Sequence, residues 1–381
     1  MNPLFKIVVC VFCIVPFITK AQTDSIIVAK KKWPFSAIQK LQEGNLRFVP
    51  IPAFSISPEK GVSVGLIFEY FFNTGINEVE KKKTRLSNAY INLQYSSLNQ
   101  LIAEGVYSIY TNNEKYYLQG AVGYKDFYER YWTFSEDTVG NNSFRGVDYK
   151  QIYVRGKWLH HSKNQLFVGL NFTYNSFNEI VFQEGDYPST PAVEGLTESK
   201  SLGIGPMIMI DKRDNQFSPQ KGWFAEAGIR FHHKTIGSNF NFTHYNLDVR
   251  RYINLKSNSI LALHINAILN DGNVPFLEKV KLGNDKIMRG YFAGRFRDNE
   301  FAAAQIEYRY PIGKSFVLAG FLSAGQTAAT VNQFSINAMQ SSMGGGLRYL
   351  VNKQKKLYVR FDAGYTQKGN WGFYLNLGDA F

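Results

Sequence analysis

Cysteine is almost absent from the 381 residues: the only two, Cys10 and Cys13, stand near the start of the chain. Beyond them there is no thiol for a disulfide, a thiolate metal site or a nucleophile. Neither sits in a lipoprotein box, because Val8-Val9 and Val11-Phe12 are bulky where a small residue should precede the cysteine. Long apolar runs are lacking too. The longest, Ile7 to Ile18, follows Lys6 and leads into Thr19-Lys20-Ala21, the layout of a cleaved export signal over residues 1–21. It is too short to cross a bilayer, and the run of about 20 apolar residues that a membrane helix needs occurs nowhere later. Histidine is sparse. His160, His161, His232, His233, His244 and His264 never show the i, i+4 spacing of a helical metal site. His264 beside Ser259 is a poor start for a hydrolase. Gly344-Gly345-Gly346 opens a strand and not a helix, so it is no phosphate loop. No catalytic residue, metal site or cofactor is expected.

Aromatic residues and glycine are what the chain has in quantity. It carries 31 Phe, 23 Tyr and 32 Gly, with aromatics at 15%, and its mean hydropathy is slightly negative. Segments of roughly ten residues, apolar outward and polar inward, with aromatic girdles at both interfaces, are the composition of a membrane β-barrel. A net charge of +13 could serve nucleic acid, but the Lys and Arg are scattered one or two per hairpin. Together with export, that favours anionic lipid headgroups or phosphates as the partner and excludes nucleic acid.

From Phe48 onward the chain alternates strand and turn. Sixteen segments are expected, near 48–57, 61–73, 85–96, 101–111, 116–128, 150–161, 165–176, 201–211, 223–233, 244–255, 259–269, 300–311, 316–326, 343–352, 357–366 and 371–381. Period two is clearest late: Leu357, Val359 and Phe361 point one way, Tyr358, Arg360 and Asp362 the other. Connection lengths also alternate. Turns such as Asn112-Asn113-Glu114-Lys115 and Ser162-Lys163-Asn164 are short and polar, whereas 129–149, 177–200, 270–299 and 327–342 are long. Short periplasmic turns and long outer loops have this parity, and an even strand count closes the sheet. The expectation is therefore an all-β, 16-stranded antiparallel transmembrane barrel over 48–381, behind a signal peptide (1–21) and a short leader (22–47). The leader, with Lys30-Lys31-Lys32, Trp33-Pro34-Phe35 and a short helix over Ser36 to Glu43, reads as an interfacial tether or as an unstructured segment.

One tetrapeptide stands apart, Met288-Arg289-Gly290-Tyr291, in the longest connection; the next strand carries Gln305, Glu307 and Arg309 on a single face. That face must be inward, because a Glu in hydrocarbon is costly. Spacing alone leaves two readings open: Arg289 solvated with Glu307 paired to Arg309, or Arg289 folded back onto Glu307 in a charge-assisted pair.

The residues resemble the Omp85 superfamily, the BamA/TamA-like barrels also described as bacterial surface antigen D15. Asp211-Lys212-Arg213-Asp214-Asn215-Gln216-Phe217-Ser218-Pro219-Gln220-Lys221-Gly222 is similar to its strand–turn signature, in which Asp211, Arg213, Asp214, Pro219 and Gly222 are the matching positions. Met288-Arg289-Gly290-Tyr291 is similar to its loop-six motif, and Phe381 to the closing aromatic of its β-signal. The resemblance implies that loop six folds into the lumen and that Arg289 meets Glu307, with Arg309 beside it and Ser323 where the family usually has a second acid. It also implies insertion or translocation of protein or lipid without covalent catalysis, through a weak seam between the first and last strands. The alternative is an anchoring or pore-forming barrel. The short leader leaves no room for the family's periplasmic POTRA modules, so outer-membrane lipid, a client polypeptide, and either a homodimer or a separate periplasmic partner are the expected contacts.

Overall fold

The computed structural model describes residues 48–74, 76–77, 82–111, 113–132, 144–183, 195–353 and 355–381. The chain divides into two units, Met1–Ala37 and Ile38–Phe381. The first, with the expected signal, and the leader with its helix lie outside the described residues; the second holds the strands.

Alternation dictates the architecture. In Ser199–Asp211, Ser199, Ser201, Met207, Met209 and Asp211 are buried while Ile204, Ile208 and Ile210 are exposed. A strand with that pattern needs an enclosed polar face and an apolar exterior. Sixteen strands meet the need together in one antiparallel sheet. They are β1 (Phe48–Ser57), β2 (Gly61–Phe72), β3 (Ser87–Ser96), β4 (Leu101–Thr111), β5 (Tyr116–Tyr131), β6 (Arg145–His161), β7 (Leu166–Phe182) and β8 (Ser199–Asp211). The rest are β9 (Gly222–His232), β10 (Phe242–Asn254), β11 (Ile260–Gly272), β12 (Glu300–Ile312), β13 (Phe316–Ala328), β14 (Gln340–Asn352), β15 (Leu357–Thr366) and β16 (Trp371–Leu377). Each pairs with its neighbours in sequence. The barrel is nearly closed: β1 and β16 lie side by side, yet among the described residues no paired register joins them.

The exterior is a belt of exposed aliphatic side chains, including Leu66, Ile91, Val122, Ile152, Leu170, Ile306 and Leu322. Exposed aromatics border it. Trp158, Trp223, Phe316 and Tyr349 stand towards the short-turn end, Tyr95, Phe231, Tyr365 and Trp371 towards the long-loop end. In water such a surface would aggregate; in a bilayer it matches its solvent.

Two differences from the sequence expectation have physical causes. Strands β5, β6 and β7 run beyond the expected ends, because Tyr131, Val147, Tyr149, Phe177 and Phe182 bury against Phe276 and Leu277 of the 273–299 connection after β11. Charged Glu129, Arg130, Asp148 and Lys150 interrupt the apolar period there. The last strand stops at Leu377, four residues before the chain end. Gly378, at φ +85°, turns the backbone off the sheet. Phe381 is thus no strand terminus: it is buried against His264, with ring centroids 4.9 Å apart, and near Tyr252.

Candidate functional site

Parity along β12 puts Gln305, Glu307 and Arg309 on the buried inward face and Ile306, Tyr308 and Tyr310 on the exposed one. The same parity turns Arg348 of β14, and Arg360 and Asp362 of β15, inward. Strands of fixed register thereby bring two acids and three arginines to one patch of wall.

The 273–299 connection supplies a fourth arginine. Met288 and Gly290 both have positive φ, 56° and 108°. They bend the chain sharply enough to present Arg289, which has no exposed surface. Its guanidinium forks between two carboxylates, Nη2 to Glu307 Oε2 at 2.6 Å and Nη1 to Asp362 Oδ2 at 2.5 Å. Its Cζ lies 3.4 Å from the centre of the Phe321 ring. Charge-assisted hydrogen bonds and a desolvated cation–π contact are each worth about 2 kcal/mol in such settings. The seat is shaped by small residues. A Cβ on Gly364 would stand 2.5 Å from the Arg289 carbonyl, and Gly290 donates its N–H to Tyr374 Oη at 2.9 Å. Tyr291 is buried and donates to the Ser341 carbonyl at 3.0 Å.

Around this fork the charges alternate. Arg309 Nε reaches Glu307 Oε1 at 2.8 Å and Arg348 Nη2 reaches it at 3.3 Å. Arg348 also pairs with Asp362, and Arg360 meets Asp362 at 2.7 Å and Asp285 at 2.9 Å. Arg309 continues to Asp379 Oδ2 at 3.1 Å and to the Phe381 carbonyl at 3.1 Å. Four arginines therefore face four acids, and removing any one unbalances a largely buried charge cluster. Both pairings left open by the spacing occur at once, since Glu307 serves Arg289 and Arg309.

Ser323 corrects one expectation. Its hydroxyl shares a 2.7 Å hydrogen bond with the hydroxyl of Ser342, while the guanidinium of Arg289 goes to Glu307 and Asp362. The second acid is Asp362, from a strand two places further on. Asp362, Arg348, Arg360, Asp285 and Asp379 were missed. For Arg348, Arg360 and Asp362 the signal in the sequence is an inward charge on a strand rich in apolar residues and glycine; Asp285 in the connection and Asp379 beyond β16 carry no such signal.

The strand–turn signature forms a second rigid piece. Arg213 grips Asp211 with two 2.8 Å hydrogen bonds, and Asp214 accepts from the backbone of Gln220 and Lys221 at 2.8 and 3.2 Å. Pro219 is buried, and a Cβ on Gly222 would stand 2.1 Å from the Lys212 carbonyl. Ser218 donates to Asp379 Oδ2 at 2.6 Å. A continuous polar path thus runs from this turn through Asp379, Arg309 and Glu307 to Arg289.

The 273–299 connection also holds the two strands beside the gap. On the β16 side, Tyr374 takes the Gly290 N–H and Asn376 donates to Asp285 Oδ2 at 2.9 Å. On the β1 side, Glu59 in the β1–β2 turn accepts from Ala293 N at 2.8 Å. Across from them, Lys281 and Arg297 pair with Glu129 of β5. Among the described residues no group of His, Cys, Asp and Glu is arranged to hold a metal.

A family model described as the Omp85 superfamily domain matches residues 85–381. BamA from Haemophilus ducreyi lacking POTRA domains 1–3 is structurally similar, with a TM-score of 0.57 at 12% identity, covering 87% of this chain and 70% of that one. CdiB from Acinetobacter baumannii has a TM-score of 0.53 at 10% identity; 87% of this chain is covered, against 59% of CdiB. At these identities the likeness is one of fold. No curated protein matches the sequence.

Proposed function

The chain belongs to the Omp85 superfamily, and from that premise we propose that it inserts or translocates polypeptide at the outer membrane by parting the β1–β16 seam. The step is conformational and has no covalent chemistry. The 273–299 connection acts as a plug seated in the lumen, with Arg289 as its latch. The observation that carries this reading is the double attachment of that connection to both sides of an unpaired seam, Glu59 on one and Tyr374 with Asn376 on the other.

The physics is that of an open sheet edge in lipid. Unpaired backbone groups cost several kcal/mol each in hydrocarbon, and an open edge is a template for another strand. A client strand would satisfy those groups. Releasing the latch frees the plug and both edges together. The proposed partners are outer-membrane lipid, a client polypeptide, and a second copy or a periplasmic protein that delivers the client.

Engineered cysteines test it. Ser55 of β1 is paired with each residue of Trp371–Leu377 in turn, in a Cys10→Ser, Cys13→Ser background. The protein is then assayed for the rate at which it speeds insertion of an unfolded β-barrel protein into vesicles. The oxidised pairs lose the acceleration and reductant restores it. Acceleration that is indifferent to the disulfide means that insertion does not use the seam, and no acceleration by the unlinked barrel points to an anchoring or pore-forming barrel.

A further inference from the structure

The wall opposite the latch holds a second polar constellation that the seam does not use. Between β4 and β10 the inward faces enclose a cavity of about 440 Å³, within the range of small-molecule sites. Four cations line it, Lys125, Arg155, Lys157 and Arg230, against one carboxylate, Glu226. Lys157 is matched by Glu226 at 2.7 Å. The other three have no carboxylate within ion-pair distance among the described residues. Lys125 Nζ and Arg155 Cζ lie 5.2 and 5.4 Å from the centre of the same Tyr153 ring. Arg230 is fixed by Asn171 Oδ1 at 2.9 Å, and its buried Nε is left without a partner. Two further acids stand nearby: Glu104 takes hydrogen bonds from Tyr153 at 2.7 Å and Asn92 at 3.1 Å, and Glu278 takes one from Asn175 at 2.8 Å.

This geometry is built. A Cβ on Gly123 would strike the Tyr153 ring at 2.4 Å, so glycine there lets the ring lie where both cations meet it. Glu104 and Glu278 offset part of the positive charge from further off but are already held by neutral donors, Tyr153 and Asn92 on one and Asn175 on the other, so cationic donors remain free to meet an oxyanion. Two of the three cations are guanidiniums, whose planar fork matches a phosphate oxygen pair.

We propose that this cavity binds a phosphate-bearing ligand, whose oxyanion bridges Lys125, Arg155 and Arg230. The phosphate can arrive on a small soluble ester or on a lipid headgroup. The chemistry is the same, and the experiment separates the sources.

The purified barrel is titrated with glycerol phosphate in detergent at constant ionic strength, with thermal unfolding and calorimetry as readouts. The same protein is placed in nanodiscs with and without phosphatidic acid. Glycerol phosphate raises the unfolding midpoint where an equal ionic strength of sodium chloride does not. Arg155, which is exposed to the cavity, is the variant least able to disturb folding. Arg155→Gln weakens binding at least tenfold while its ligand-free midpoint stays level, because the side chain is exposed and forms no ion pair among the described residues. Lys125→Gln weakens binding likewise. Stabilisation by phosphatidic acid alone assigns the site to a headgroup, and by the soluble ester to a free ligand. If neither outdoes chloride, or both variants bind as the parent does, the site does not exist.

Discussion

Arg289 is fixed by a geometry that lysine cannot copy. One planar fork spans Glu307 and Asp362 over the face of Phe321. Arg289→Ala takes one arginine from each of two buried carboxylates and leaves the cluster one positive charge short, which should cost about 3 kcal/mol, seen as a lower urea midpoint. Arg289→Lys keeps the charge but reaches only one acid, so its loss should be roughly half as large. Glu307→Gln and Asp362→Asn share one guanidinium; a double-mutant cycle should return a coupling of about 0.5–3 kcal/mol, and strict additivity would refute the shared fork. Asp285 gives the site a pH dependence. Burial alone would raise its carboxyl, but Arg360, then Lys286 and Lys60, hold it below the ordinary range. An acid depressed in the folded state stabilises above its unfolded pKa, about 4, and that contribution is lost as pH falls through the folded value. Amide protection factors in the 273–299 connection, taken against the intrinsic exchange rate at each pH, should therefore fall on acidification, and Asp285→Asn should flatten that response. The faces of Glu307 and Arg309 were legible from period two. The fork was not, because β12 and β15 are not neighbours, and alternation tells which way a side chain points but not what stands across the barrel from it.

At the scale of elements, the connection and the two strands beside the seam form one mechanical unit. Tyr374→Phe removes the acceptor for Gly290 N–H, and Glu59→Gln weakens the one for Ala293 N–H. Either should raise seam mobility by a modest amount, about 1 kcal/mol per lost hydrogen bond. Spin labels on β1 and β16 should then show a broader distance distribution, while labels on β6 and β7 should not change. The strand–turn signature extends this unit through Ser218 and Asp379. All sixteen strands were legible from alternation and turn parity. The inward tuck of Asp379–Phe381 was not, because it rests on the pairing of Asp379 with Arg309 of a distant strand, made after the turn at Gly378.

For the whole molecule, fifteen strand pairings in series leave one junction without paired backbone among the described residues. β16 is seven residues long, against thirteen in β12, so even a fully zipped junction would hold fewer hydrogen bonds than its neighbours. The exterior requires lipid, the interior holds two charged walls, and the seam is where an incoming strand can be paired. Amide hydrogen exchange of the barrel in a bilayer tests this most directly, comparing β1 and β16 with β6 and β7. Fast exchange confined to Phe48–Ser57 and Trp371–Leu377, slowed when a disulfide bridges the seam, is the predicted result. Protection of those amides equal to that of β6 and β7, with or without the disulfide, would mean that the barrel is sealed and does not open there.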